Sequence, residues 1–125
     1  MTENEISYII RGVIFKVYNK LGPGLLESVY HSSLVTELKF LNFKVEEDRP
    51  FYVKNHNDIL IVGYRADIVV NNLVIVEVKS VDRLHQVHHK QLMTYLRISG
   101  LKLGLLVNFN TDRIQDSIIR KVNNL

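Results

Sequence analysis

The chain has 125 residues, of which 46% are hydrophobic and 23% charged, with a net charge of +3 and no cysteine. This length supports a real core in one domain spanning residues 1–125, and the missing cysteines exclude a disulfide scaffold and thiolate metal sites. No signal-peptide pattern opens the chain and no apolar run approaches the roughly 20 residues that cross a bilayer, so a cytoplasmic protein is expected.

Ile6, Ile9, Ile10, Val13, Val17 and Leu21 recur at helical spacing and predict an amphipathic helix from about Glu3 to Lys20. Gly22-Pro23-Gly24 breaks it. A second helix follows, with Leu26, Val29, Tyr30, Leu34, Leu38 and Leu41 on its inner face. Phe43–Glu47 and Phe51–Val53 read as strand segments divided by an acidic turn and Pro50. Beyond the polar turn Asn55–Asp58, Ile59–Val70 is a long strand and Leu73–Lys79 its hairpin partner across Asn71-Asn72. Helical spacing returns from about Leu84 to Ser99, with Gly100 as its stop, and Leu103–Phe109 is another apolar strand. Ile114, Ile118, Ile119 and Val122 suggest a short closing helix. The order α-α-β-β-β-α-β-α describes an α/β sandwich, a mixed central sheet flanked by helices.

The hairpin carries the chemistry. Asp67, Glu77 and Lys79 interrupt strands that are otherwise apolar, and burying such charges is costly unless they are paired or bound to a metal. Carboxylate oxygens suit Mg²⁺ or Mn²⁺, and a nearby ammonium suits an anionic oxygen or an attacking water. Together they describe a metal-dependent phosphodiester hydrolase. The plainer reading of Glu77-x-Lys79 is a strand-edge ion pair. Alternate strand residues share a face, so Glu77 and Lys79 point one way and Val74, Val76 and Val78 the other. A two-residue tip at Asn71-Asn72 puts Asp67 on the valine face. A three-residue tip at Asn71–Leu73, or one bulge, puts it across from Glu77, as a metal site requires.

With the surrounding elements, the pattern resembles the core of the PD-(D/E)XK nuclease superfamily, a restriction-endonuclease-like fold. Gly24-Leu-Leu-Glu27-Ser-Val-Tyr30 is similar to the GxxExxY signature of a small family within it, and Gln91-Leu-Met-Thr-Tyr95 to the QxxxY motif of RecB-like nucleases. Ala66 stands where the superfamily has a proline before its first aspartate. The resemblance implies Glu27, Asp67, Glu77 and Lys79 as catalytic residues. Glu27, Asp67, Glu77 and the carbonyl of Val78 would hold the metal, and Lys79 would act on the water. Tyr30, Gln91 and Tyr95 would position substrate, and His88 joins them on spacing alone, since it shares one helix stripe with Gln91 and Tyr95. First-turn dipole stabilisation is the plainer account of Glu27, and a polar patch at the core margin that of Gln91 and Tyr95.

His85 and His89 have zinc-compatible spacing but lack an evident third ligand, so a solvated helix face describes them better. Arg65, Arg83 and Lys90 are candidate phosphate contacts. The implied partner is nucleic acid, DNA first, with a homodimer compatible with so small a domain and no membrane role. A silent nucleic-acid-binding or assembly subunit with the same fold, and a hydrolase of small phosphoesters, are the competing readings.

Overall fold

The computed structural model describes residues 1–125. Thr2 opens helix α1 (Glu3–Leu21) with a capping box: its hydroxyl accepts from the Glu5 amide, and Glu5 accepts from the Thr2 amide, both at 3.2 Å. Gly22 ends the helix at φ 69°, a left-handed conformation that favours glycine. Helix α2 (Glu27–Phe40) follows, then strands β1 (Val45–Lys54), β2 (Leu60–Val70) and β3 (Val74–Lys79), helix α3 (Gln86–Ser99), and strands β4 (Leu103–Asn108) and β5 (Ile118–Val122). The five strands lie in sequence order in one sheet; β3 and β4 run parallel and the other neighbours antiparallel. The expected α/β sandwich with a mixed sheet is the fold observed. No helix is long and apolar enough to cross a membrane.

Three expectations are corrected. Leu26, Val29 and Leu41, expected on the inner face of α2, are exposed at or near its ends, and Val35 joins Tyr30, Leu34 and Leu38 on the buried side. The final segment is not a helix: a single 3₁₀ turn at Ile114–Asp116 leads into β5, which pairs Ile118 to Ile119 and onward against Val107 to Leu103. Isoleucines at 118 and 119 fit either period, and the open edge of β4 decides between them. The two segments around Pro50 form one continuous strand. β1 is an edge strand, where a residue without an N–H costs no ladder bond on the free side.

The sheet separates two cores. Ile68, Val70, Val74, Val76 and Val78 pack with α1 and α2, so the valine face of β3 is covered by helices as expected. Tyr64, Ala66, Val69 and Ile75 pack instead with Leu92 and Leu96 of α3. Residues two apart in a strand normally share a face, yet Ala66 and Ile68 face opposite cores. The exchange occurs at Asp67, where the β1–β2 ladder skips one pair between Glu47↔Ile68 and Arg49↔Ala66 without a change of register. The skipped partner on β1, Asp48, has φ 49°. The site therefore begins at a break in the pleat.

Gly104 of β4 leaves room for α3, since a Cβ there would stand 2.7 Å from Leu92 Cδ1. Gly104→Val should destabilise the protein by about 1–3 kcal/mol through overpacking, measured by urea denaturation. In a Leu92→Ala background the same substitution should cost much less, because its clashing partner is gone.

Candidate active site

The β2–β3 hairpin forms with the three-residue tip. Val70 pairs with Val74, Val69 with Ile75 and Ile68 with Val76. Asn71 and Asn72 adopt φ 53° and 54°, a left-handed conformation that asparagine tolerates better than most residues. The Leu73 amide closes the tip on the Val70 carbonyl at 3.0 Å. Asn71 is also tied to the start of β1: its amide donates to the Lys44 carbonyl, and its side-chain oxygen accepts from the Lys44 amide. One step beyond Ile68↔Val76, Asp67 and Glu77 stand opposite each other.

There the backbone ladder gives way to side chains. The Asp67 amide donates to Glu77 Oε2 at 3.0 Å, and the Val78 amide donates to Asp67 Oδ2 at 2.9 Å. Each carboxylate thus takes the place of a strand carbonyl. Glu77 is only 7% exposed, and its carboxyl lies well above the usual carboxylate range because burial disfavours its charge and Asp67 adds repulsion. Lys79, two residues along the same strand, opposes that rise.

Glu27 begins α2, and with Ser28, His31 and Ser32 of that helix it faces Glu47, Asp48 and Asp67 across a polar hollow. Partial burial raises its pKa and Asp67 adds to the effect, while Lys79 and His31 act against it. Glu27, Asp67, Glu77 and Lys79 therefore share one electrostatic neighbourhood. They do not form a preassembled cage: no three His, Cys, Asp or Glu side chains converge closely enough to hold a metal ion. The expected three-carboxylate set is reduced to a pair plus an acid at the rim. Asp67 and Glu77 each carry a second carboxyl oxygen beyond the one that accepts an amide. Two hard oxygens of this kind fit Mg²⁺ or Mn²⁺, ions that usually take one or two carboxylates and complete their shell with waters and substrate phosphate.

The expected positioning residues separate. Tyr30 is fully buried, stacked on Phe109 with ring centroids 4.4 Å apart. Its hydroxyl donates to the Gly22 carbonyl and accepts from the Leu25 amide. It cannot touch a substrate; it fixes the loop that presents Glu27, which Ser80 also grips through the Leu25 carbonyl at 2.7 Å. His88 Nδ1 accepts from the His85 amide at 3.0 Å and so caps α3. Partial burial, then Lys79, lowers its pKa, which favours the neutral ring that this bond requires. Gln91 stands exposed on α3. Tyr95 reaches the site margin: burial raises its pKa, and Glu77 and Asp67 contribute.

Tyr64 and Asn108 escaped the sequence reading. Tyr64 stacks on Tyr95 at 3.8 Å and donates its hydroxyl to the Tyr95 carbonyl at 2.8 Å. Burial pushes the Tyr64 hydroxyl up to about 12, so it remains a donor. Asn108 accepts from the Val81 amide and donates to the Val81 carbonyl, anchoring the chain beyond Lys79. A lone asparagine inside the apolar run of β4 was the available signal for the second of these.

A family model described as the PD-(D/E)XK nuclease superfamily matches residues 4–121. The chain belongs to that superfamily. No curated protein and no solved structure matches it. Membership in the PD-(D/E)XK superfamily points to metal-dependent nuclease chemistry, with nucleic acid as the class of partner.

The Glu77 environment sets a pH dependence. A carboxyl whose pKa is raised on folding contributes stability that is full below its unfolded pKa and lost as pH rises through the folded one. In chelator-containing buffer, the wild-type urea midpoint should fall as pH rises from about 5, whereas Glu77→Gln should flatten this decline. A wild-type profile as flat as the variant's would contradict the assignment.

Proposed function

We propose that the protein is a metal-dependent nuclease of one domain, residues 1–125, which hydrolyses phosphodiester bonds in nucleic acid, DNA first among substrates, in the cytoplasm. The observation that carries this reading is the interlocked Asp67–Glu77 pair, with Lys79 following on the same strand. The GxxExxY and QxxxY resemblances agree with it, since Glu27 lies at the rim of the pair and Tyr95 at its margin.

Asp67, Glu77 and the Val78 carbonyl would hold Mg²⁺ or Mn²⁺, with Glu27 acting through water. Such an ion, when bound, supplies Lewis-acid stabilisation of charge on the phosphate and lowers the pKa of water. The chain's own residues do the rest. The hairpin fixes both carboxylates through backbone amides, so little reorganisation accompanies substrate binding. The Lys79 ammonium orients the attacking water and offsets negative charge developing on phosphoryl oxygens. Water oxygen bonds to phosphorus, the bond to the leaving oxygen breaks, and that oxygen leaves as a hydroxyl after taking up a proton. The products are a phosphate monoester end and an alcohol end. Tyr30 and Ser80 hold the loop that presents Glu27, while Tyr64 holds Tyr95.

One observation favours the silent-subunit reading. Each carboxylate of the pair already has a structural task in completing the hairpin. An assay on single-stranded, duplex and branched substrates with Mg²⁺ or Mn²⁺ decides between the two. On the nuclease reading, Lys79→Ala should lower the rate by about 10²-fold or more, the scale of losing one transition-state contact. It should weaken binding in Ca²⁺ only modestly. Wild-type cleavage that survives Lys79→Ala at full rate would place the activity elsewhere.

Divalent metal that binds only the folded state should raise the melting temperature. Asp67→Asn should abolish that rise, and equal metal-induced shifts in wild type and variant would count against the ligand assignment.

A further inference from the structure

We propose that the groove between α3 and β5 is a second substrate surface, holding the sugar-phosphate backbone of a nucleic acid about three nucleotides from the scissile bond. This rests on the nuclease reading above and extends it away from the reacting atoms. Charge is unevenly distributed along the chain. Residues 83–111 and 117–125 contain six lysines and arginines and no aspartate or glutamate, while the remainder contains ten basic and thirteen acidic residues. Folding brings the acid-free segments together, because α3 packs over β4 and against β5.

Gln86, His89, Lys90 and Arg97 of α3 face Lys121 of β5 across the groove. The ion pairs of the molecule involve Lys16, His31, Lys44, Arg49 and Arg113, so Lys90, Arg97 and Lys121 have no carboxylate partner. Unpaired cations lining one concavity repel one another and give the fold no return. A polyanion supplies the missing counter-charge, and a track of successive phosphates matches cations spread along a groove.

Placement on α3 gives the spacing. At 100° per residue, His88, Gln91 and Tyr95 lie on the flank toward the Asp67–Glu77 pair. Gln86, Met93 and Arg97 lie on the opposite flank, with Leu92 and Leu96 buried between. The groove and the reacting centre are thus separated by one helix, about 10–12 Å wide with its side chains. A strand advances about 3.4 Å along the helix axis per nucleotide, so crossing α3 takes about three. Contacts of this kind hold register without reading sequence.

The test is the salt dependence of binding to labelled single-stranded and duplex oligonucleotides, in Ca²⁺ to prevent cleavage. A triple variant, Lys90→Gln, Arg97→Gln and Lys121→Gln, should lower the slope of log affinity against log salt by about two to three. A charge-keeping set, Lys90→Arg, Arg97→Lys and Lys121→Arg, should retain the wild-type slope. Equal charge removal at Lys20, Lys39 and Lys54, outside the groove, should leave the slope nearly unchanged. With Mg²⁺, the groove triple should raise KM for oligonucleotides while turnover of bis(p-nitrophenyl) phosphate, which has no flanking nucleotides, stays at the wild-type rate. A wild-type slope in the groove triple overturns the proposal, and so does an equal loss in the charge-keeping or control sets. Preference of the wild type for anionic vesicles over oligonucleotides also overturns it. Wild type that binds but never cleaves removes the nuclease reading alone, because the slopes remain readable. Wild type that binds no oligonucleotide removes both.

Discussion

Asp67 and Glu77 answer each other across the hairpin, each accepting a backbone amide that a strand carbonyl would otherwise take. The exchange lets two carboxyl groups sit within a sheet without leaving an amide unpaired, because each supplies the acceptor that the facing amide needs. It also holds the acids at a separation set by main-chain geometry rather than by free rotamers. The remainder of the site hangs from this lock. Val78 is positioned through its amide, Lys79 follows one residue later, and Tyr95 and Glu27 approach from the helices on either side of the sheet.

Glu77 is the strained member. A buried carboxyl beside another carboxylate resists ionisation, and that resistance falls away when a cation shares the space. The fold therefore carries an electrostatic penalty at this pair, which a cation held there would relieve. The hollow beside the pair is acidic, shared by Glu27, Glu47, Asp48 and Asp67, whereas Lys90, Arg97 and Lys121 lie together beyond α3.

Much of this was legible in the residues. Ile6, Ile10, Val13 and Val17 announced α1 because one helix face buries them all, and Val74, Val76 and Val78 announced β3 for the corresponding reason at period two. The polar residues within β3 stood out because an apolar strand makes any charge conspicuous. What stayed hidden depended on distant partners. Tyr30 looked like a substrate contact because it lies one helical turn from Glu27, but Phe109, remote in sequence, takes its ring. β5 shared its spacing with a helix until the free edge of β4 claimed it. The change of faces between Ala66 and Ile68 had no local cue, since alternation there reads as unbroken. The absence of a closed three-acid cage was equally invisible, because spacing reports direction and not convergence.

The tip of the β2–β3 hairpin acts as a parity switch for the whole site. With Asn71, Asn72 and Leu73 in the turn, Asp67 faces Glu77. Losing one of the three would rotate the opposing strand by one residue and send the aspartate to the valine side, although every residue of the signature would still be present in the sequence. A lineage could thus fall silent through a one-codon deletion far from the reacting atoms. A survey of motif residues alone would count such a protein among the active ones. In chains of this kind, turn length is as much a part of the signature as the acids it aligns.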